Sequence, residues 1–192
     1  MSILSIPFLV SHAEPAASMR LSQRFCDYFK AIPAERRIVV VCVGTDRCTG
    51  DSLGPLTGTL LGKYRSSSFD IVGTLEHPVH AMNLADTMDK LSSRYRDPFV
   101  VGIDACLGSA SSIGSVLVAN GPLRPGAGVN KQLPPVGDIH VSGIVSVGGM
   151  LGMQALQSTR LHLVMSMSTL IARSVFVGMR LTETTPCEHA AR

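Results

Sequence analysis

Tryptophan is missing from this chain and aromatic residues are scarce, with three Tyr and six Phe among 192 residues. Proteins that hold single-stranded nucleic acid stack its bases on aromatic rings inside a basic groove. So few rings, with a formal charge of only +3 spread along the chain, make nucleic acid a poor partner. Charge itself is sparse, 16% of residues against 45% hydrophobic, which excludes a disordered polymer and suggests strands buried on both faces. No apolar run approaches the roughly eighteen residues that span a bilayer, because Gly, Arg or Asp interrupts each candidate, so no membrane partner is expected. CxxC and zinc-like spacings are absent too. Cys26, Cys42, Cys48, Cys106 and Cys187 form an odd, scattered set that fits free thiols in a reducing cytoplasm. No positive charge precedes the short apolar stretch of MSILSIPFLVSHAEP, which argues against a secretory signal.

The chain has the length of one ordinary domain, large enough to bury a core without staples. The expected division is a flexible N-terminal arm over 1–17, one α/β domain over 18–182 and a C-terminal tail over 183–192. Met19, Leu21, Phe25, Tyr28 and Phe29 share one face of a helix over 18–30, closed by Pro33. The unbroken β-branched run at 38–44 reads as a central parallel strand. A polar loop then reaches Pro55, which is tolerated in a first helical turn, so a helix begins about there and places Asp51 at its N-terminus. Strand 69–73, helix 83–95, strand 98–103 and strand 113–119 follow. For 139–147 a short strand competes with a loop, because Gly143 and Gly148 weaken the pattern. Beyond it, 148–157 reads as a short helix, 161–165 as a buried strand and 168–180 as a closing helix, with one long helix from Arg160 as the alternative. Strands alternating with helices predict a three-layer α/β/α architecture around a mostly parallel sheet, of the phosphorylase/hydrolase-like kind. Apolar stripes in the first helix and around Met150 to Leu156 are available for packing within the chain or for pairing two copies as a homodimer.

In such folds the functional crevice lies beyond the carboxyl ends of the strands, where Asp51 and Asp104 both fall. Two carboxyl groups brought together share a proton: one stays ionised and activates water, while its protonated partner polarises a carbonyl. Each acid also has a plain structural use, Asp51 as a helix N-cap and Asp104 as a strand-end group bonding loop amides. Asp46 in the same loop reads first as a turn former, and Arg47 as a solvated cation or a neutraliser of these acids.

The segments VCVGTDRCTGDSLGPLTGTLLG, GTLEHPVHAMNL, VVGIDACLGS, GPLRPGAGVNKQLPPVGDIHVSGIV and TRLHLVMSM resemble the sporulation protein YyaC family across 38–167. More distantly, TGDSLGP and IDACLGS resemble the TPDALGP and IDAL segments of the spore germination protease, GPR, which hold that family's two catalytic aspartates. The resemblance therefore implies Asp51 and Asp104 as catalytic residues of an aspartic-type endopeptidase. Its protein substrate would be a small acid-soluble spore protein, met during sporulation or germination. RPGAGVNK resembles HPGSGVGNK of the same protease and puts Arg124 where that family has His. Gly50 likewise replaces a Pro. Hydrogenase-maturation proteases resemble this fold and hold nickel through two acids and a His at the matching positions, so Arg124 departs from that ligand set. Thr45, Asp46, Arg47, His77, His80, Arg124, Asn130 and Lys131 are expected to line the site.

His77 and His80 form an i, i+3 pair. No cofactor is expected; a divalent metal, if held, would fall to Asp51 and Asp104 with His77 or His80. His140 and His162 read as structural, and Cys106 as an ordinary free thiol with no His tied to it. Gly126 to Lys131 is a Gly-rich turn without a P-loop context. The competing reading is a catalytically silent sporulation factor, or a metal-binding interaction module, on the same scaffold.

Overall fold

A computed structural model of the protein describes residues 4, 6–126 and 133–184. The strands are β1 (Phe8–Ser11), β2 (Ile38–Cys42), β3 (Phe69–Val72), β4 (Phe99–Gly108), β5 (Ser115–Asn120) and β6 (Ile139–Val147). The α-helices are α1 (Ala17–Lys30), α2 (Leu53–Gly62), α3 (Leu84–Arg94), α4 (Gly152–Gln157) and α5 (Leu161–Thr184). All six strands join one sheet in the order β1-β5-β6-β4-β2-β3. The pairs β2–β3, β2–β4 and β4–β6 are parallel, while β1–β5 and β5–β6 are antiparallel. The α/β class and the three layers are those expected.

Alternation along β4 separates the layers. Phe99, Val101 and Ile103 join Leu21, Phe25, Leu53, Leu61, Met167 and Ile171, so α1, α2 and α5 cover one face. Val100 joins Val39, Val41, Leu84 and Leu91, so α3 covers the other, helped by the bridged loop residues Leu123 and Val136. One face thus carries three helices and the other carries one. From β2 the chain crosses outward to β3, then returns past β2 to β4. The order therefore reverses between β2 and β4, the switch point at which open α/β sheets form their crevice.

Three expectations change, and the choice between strand and loop at 139–147 falls to the strand. The segment expected to be a flexible arm supplies β1, which pairs with β5 from Phe8↔Val118 to Ser11↔Ser115. Residues 139–147 form a nine-residue strand flanked by β4 and β5. Gly143 there marks a close approach, because a Cβ would collide with Leu53. The strand expected at 161–165 is instead the first part of α5, because Val164, Met167, Ile171 and Val175 recur at helical spacing and are all fully buried against the sheet and its neighbouring helices. His162 is accordingly an exposed helical residue. Finally, α5 is long and apolar enough to cross a membrane by length and composition, although no shorter run in the sequence suggested it. Its buried face lies in the core with α1 and α2.

Candidate active site

Asp104 lies within β4, not after its end. On one side the pairing with β2 stops at Cys42↔Ile103, where the Val43 N–H donates to the Ile103 carbonyl at 2.7 Å. On the other, β4 continues beside β6, with Asp104 opposite Ser142. Asp104 is thus the first β4 residue beyond the end of β2, on the face shared with Val100 and Gly102. Asp51 sits in a 3-10 turn, Gly50–Ser52, that runs directly into α2.

Backbone contact fixes this turn. The Thr45 N–H donates to the Asp51 main-chain carbonyl at 3.2 Å. Gly44 has φ +139°, and a Cβ on it would collide with that same carbonyl oxygen. One turn later, a Cβ on Gly54 would collide with the Val43 carbonyl. No side chain separates the start of α2 from the end of β2, so the Asp51 position follows from backbone packing. Gly50, where the resembling protease has Pro, also has a local reason. A Cβ there would stand 2.9 Å from Leu156 and 3.0 Å from the Thr159 hydroxyl, so glycine lets α4 lie on the turn.

The two carboxyl groups differ in environment. Asp104 is 8% exposed, and its Oδ1 accepts the Ala105 N–H at 2.7 Å. Burial, followed by the negative charge of Asp51, holds its pKa well above the usual carboxylate range, with the Ala105 N–H opposing. Asp51 is half-buried. Burial raises its pKa too, while the Thr45 N–H and the His80 imidazole pull it down. Of the two, Asp104 therefore holds its proton the more firmly. Cys106, beyond Asp104, has its thiol pushed up to about 11 by burial and by Asp104, so it stays protonated and is no nucleophile.

His80 reaches Asp51 through a second backbone tie. After β3 the chain loops out and returns, so that Val79 forms a parallel bridge with Val43 and its carbonyl accepts the Gly44 N–H at 2.7 Å. Asn83 Oδ1 accepts the His80 N–H at 2.8 Å, and Asn83 Nδ2 donates to the Pro78 carbonyl at 3.0 Å. The Met82 N–H, directed at the His80 Nδ1 at 3.2 Å, fixes the ring against the turn. Asn83 escaped the sequence reading as a site residue because its role lies in the loop turn it stabilises.

The other expected lining residues divide. Thr45 belongs to the site through its backbone. Asp46 and Arg47 are exposed, with the Arg47 N–H turned back onto the Thr45 hydroxyl at 3.3 Å, a turn motif. His77 is exposed beside Glu76, and Arg124 is exposed. Asn130 and Lys131 lie outside the described residues. His140 is structural, its Nδ1 2.9 Å from the Gly121 carbonyl. Among the described residues no three His, Cys, Asp or Glu side chains converge as a metal would require.

A family model described as "Protein of unknown function (DUF1256)" matches residues 9–174. The chain belongs to that family. Over 176 residues it is 46% identical to the Uncharacterized protein YyaC of Bacillus subtilis (strain 168), which covers 92% of this chain and 83% of that protein. Among solved structures, a NiFe hydrogenase maturation protease, HycI, from Thermococcus kodakarensis KOD1 aligns with a TM-score of 0.48 at 18% identity, over 73% of this chain and 92% of that one.

Proposed function

We propose that this protein is an aspartic-type endopeptidase acting on a protein substrate in the cytoplasm of a sporulating or germinating cell. The observation that carries this reading is the asymmetric acid pair at the switch point: Asp104 is buried, with its pKa pushed up by burial and by the charge of Asp51, while Asp51 is half-buried and pushed up less. The ionised Asp51 takes a proton from water as the water oxygen attacks the scissile carbonyl carbon. The Asp104 O–H donates to the carbonyl oxygen and steadies the charge that develops there. Collapse of the tetrahedral intermediate breaks the C–N bond, the leaving nitrogen takes the proton from Asp51, and Asp104 regains its own as the new carboxyl group forms. The Thr45 N–H and His80 oppose the upward push that burial gives Asp51. A small acid-soluble spore protein, incubated with purified protein in a chelator, should be cut at defined peptide bonds visible by mass spectrometry. Cleavage that survives both Asp51→Asn and Asp104→Asn would refute the assignment.

A second reading, an interaction module without catalysis, is favoured by one observation. Met150, Leu151 and Met153 around the start of α4 are largely exposed, whereas the apolar face of α1 is covered by α5. Stoichiometric nickel or zinc, lost on Asp51→Asn, would favour the metal-holding form of that reading.

A further inference from the structure

The sheet ends on one side at β3. A strand with a single neighbour turns about half of its backbone N–H and C=O groups outward. Among the described residues none of the outward groups of 69–72 meets a partner. Natural sheets commonly blunt such an edge with charge, proline, a bulge or a cover. At the other end the two margins of the edge strand are tied: Arg24 of α1 donates to the carbonyls of Leu4 and Ile6 just before β1. Glu14 there accepts the Ser11 N–H and donates its own N–H to the Ser11 carbonyl. At β3 the one charged side chain, Asp70, is held back onto the sheet by Arg37 at 2.6 Å.

Beside the open edge lies a depression of about 520 Å³ between Ile71 and Val72 of β3, with Thr74 just after it, and Asn83 and Thr87 at the start of α3. That volume is in the range of ligand-holding clefts. The depression ends on His80, the residue whose ring bears on Asp51. A row of open amides and carbonyls is complementary to one kind of occupant, another backbone in extended form.

We infer that the β3 edge and the groove beside α3 take an extended segment of the polypeptide substrate, which adds to the sheet as a seventh strand and is led past His80 to the two aspartates. This rests on the peptidase reading and names how its substrate is held. Main-chain pairing supplies the grip, and the wall formed by Asn83 and Thr87 selects among side chains on alternate residues.

The test uses full-length Asp104→Asn protein, so that nothing is cut, and a fluorescein-labelled, capped peptide of about ten alternating Val and Thr residues with terminal Lys. Its anisotropy should rise saturably, and amide resonances of 71–74 and 80 should shift. Methylating alternate amide nitrogens of the peptide, with the protein untouched, should weaken binding at least about tenfold, as should Thr87→Arg, which fills the groove from the helix side. No saturable binding, or binding indifferent to both changes, overturns the inference. So does sedimentation showing that the β3 edge pairs with a second copy that the peptide cannot displace. Edge binding without cleavage by the unmutated protein would sink the peptidase reading alone. Cleavage of a substrate whose binding ignores the edge would sink the docking alone.

Discussion

At the β1 edge, Arg24 and Glu14 occupy the backbone groups that lead into and out of the strand, whereas the β3 edge carries no such cover among the described residues. The same division runs through the layers. Three helices with Phe25, Leu53 and Met167 at their centre bury one face, and α3 with Leu84 and Leu91 serves the other. Parallel pairing, the buried acid and the open edge gather around β2, β3 and β4. Antiparallel pairing, with an edge tied at both of its margins, gathers around β1 and β5. Stability is concentrated on one side of the molecule and costly polar chemistry on the other, which is the separation expected when a site must hold a protonated carboxyl group out of water.

Substitutions can break that comparison. The largest effect belongs to the acids. Asp51→Asn and Asp104→Asn should each lower kcat for peptide cleavage by about 10²- to 10⁴-fold, with KM little changed, as steady-state kinetics would show. A comparable loss of kcat from a variant near β1 would mean that the division is false. Next comes Phe25→Ala, which empties a fully buried position stacked on Phe29 at 5.9 Å. Urea unfolding should show a loss of about 3–5 kcal/mol with unchanged activity per folded molecule. Leu84→Ala on the thinner layer should cost less, about 2–3 kcal/mol, and should raise KM because Leu84 follows the Asn83 turn that holds His80.

The smallest effect is a pH dependence. A carboxyl group whose folded pKa lies above its unfolded one binds more protons when folded. The stability it gives is greatest in acid and is lost as pH climbs from the ordinary carboxylate range through the raised value. Asp104 is such a group. Asp104→Asn should therefore raise Tm at pH 8 and leave it nearly unchanged at pH 3. A Tm lowered at pH 8 would show that the charged form is welcome there and would remove the basis for Asp104 as the acid.

Much of this arrangement was legible in the chain. The β-branched run at 38–43 announced a central strand, and the alternating elements placed Asp51 beyond its end, whereas Asp104, expected just after a strand, lies inside β4. The reading failed where context overruled pattern. Gly143 looked like a strand breaker, yet it is where Leu53 presses on β6. Residues 161–165 are apolar enough for a strand or a helix, and the continuing spacing through Val175 decided for the helix. The length of β4 past Ile103 was hidden because only its partner β6 carries it onward. His80 could be named as a candidate but not separated from His77, since the difference lies in a bridge between Val79 and Val43. The groove beside β3 left no mark in the sequence. A strand becomes an edge only through where every other strand goes.

The bare contact between α2 and the end of β2, with Gly44 and Gly54 pressed on main-chain oxygens, leaves the position of Asp51 nothing to adjust. No side chain stands between the two elements, so no substitution can retune the spacing of the acid pair by small steps, and almost any change there removes the geometry outright. The loop through Glu76 and the outer turns of α3 are under no such constraint. A change along that rim alters what the surface meets and leaves the two acids where they stand.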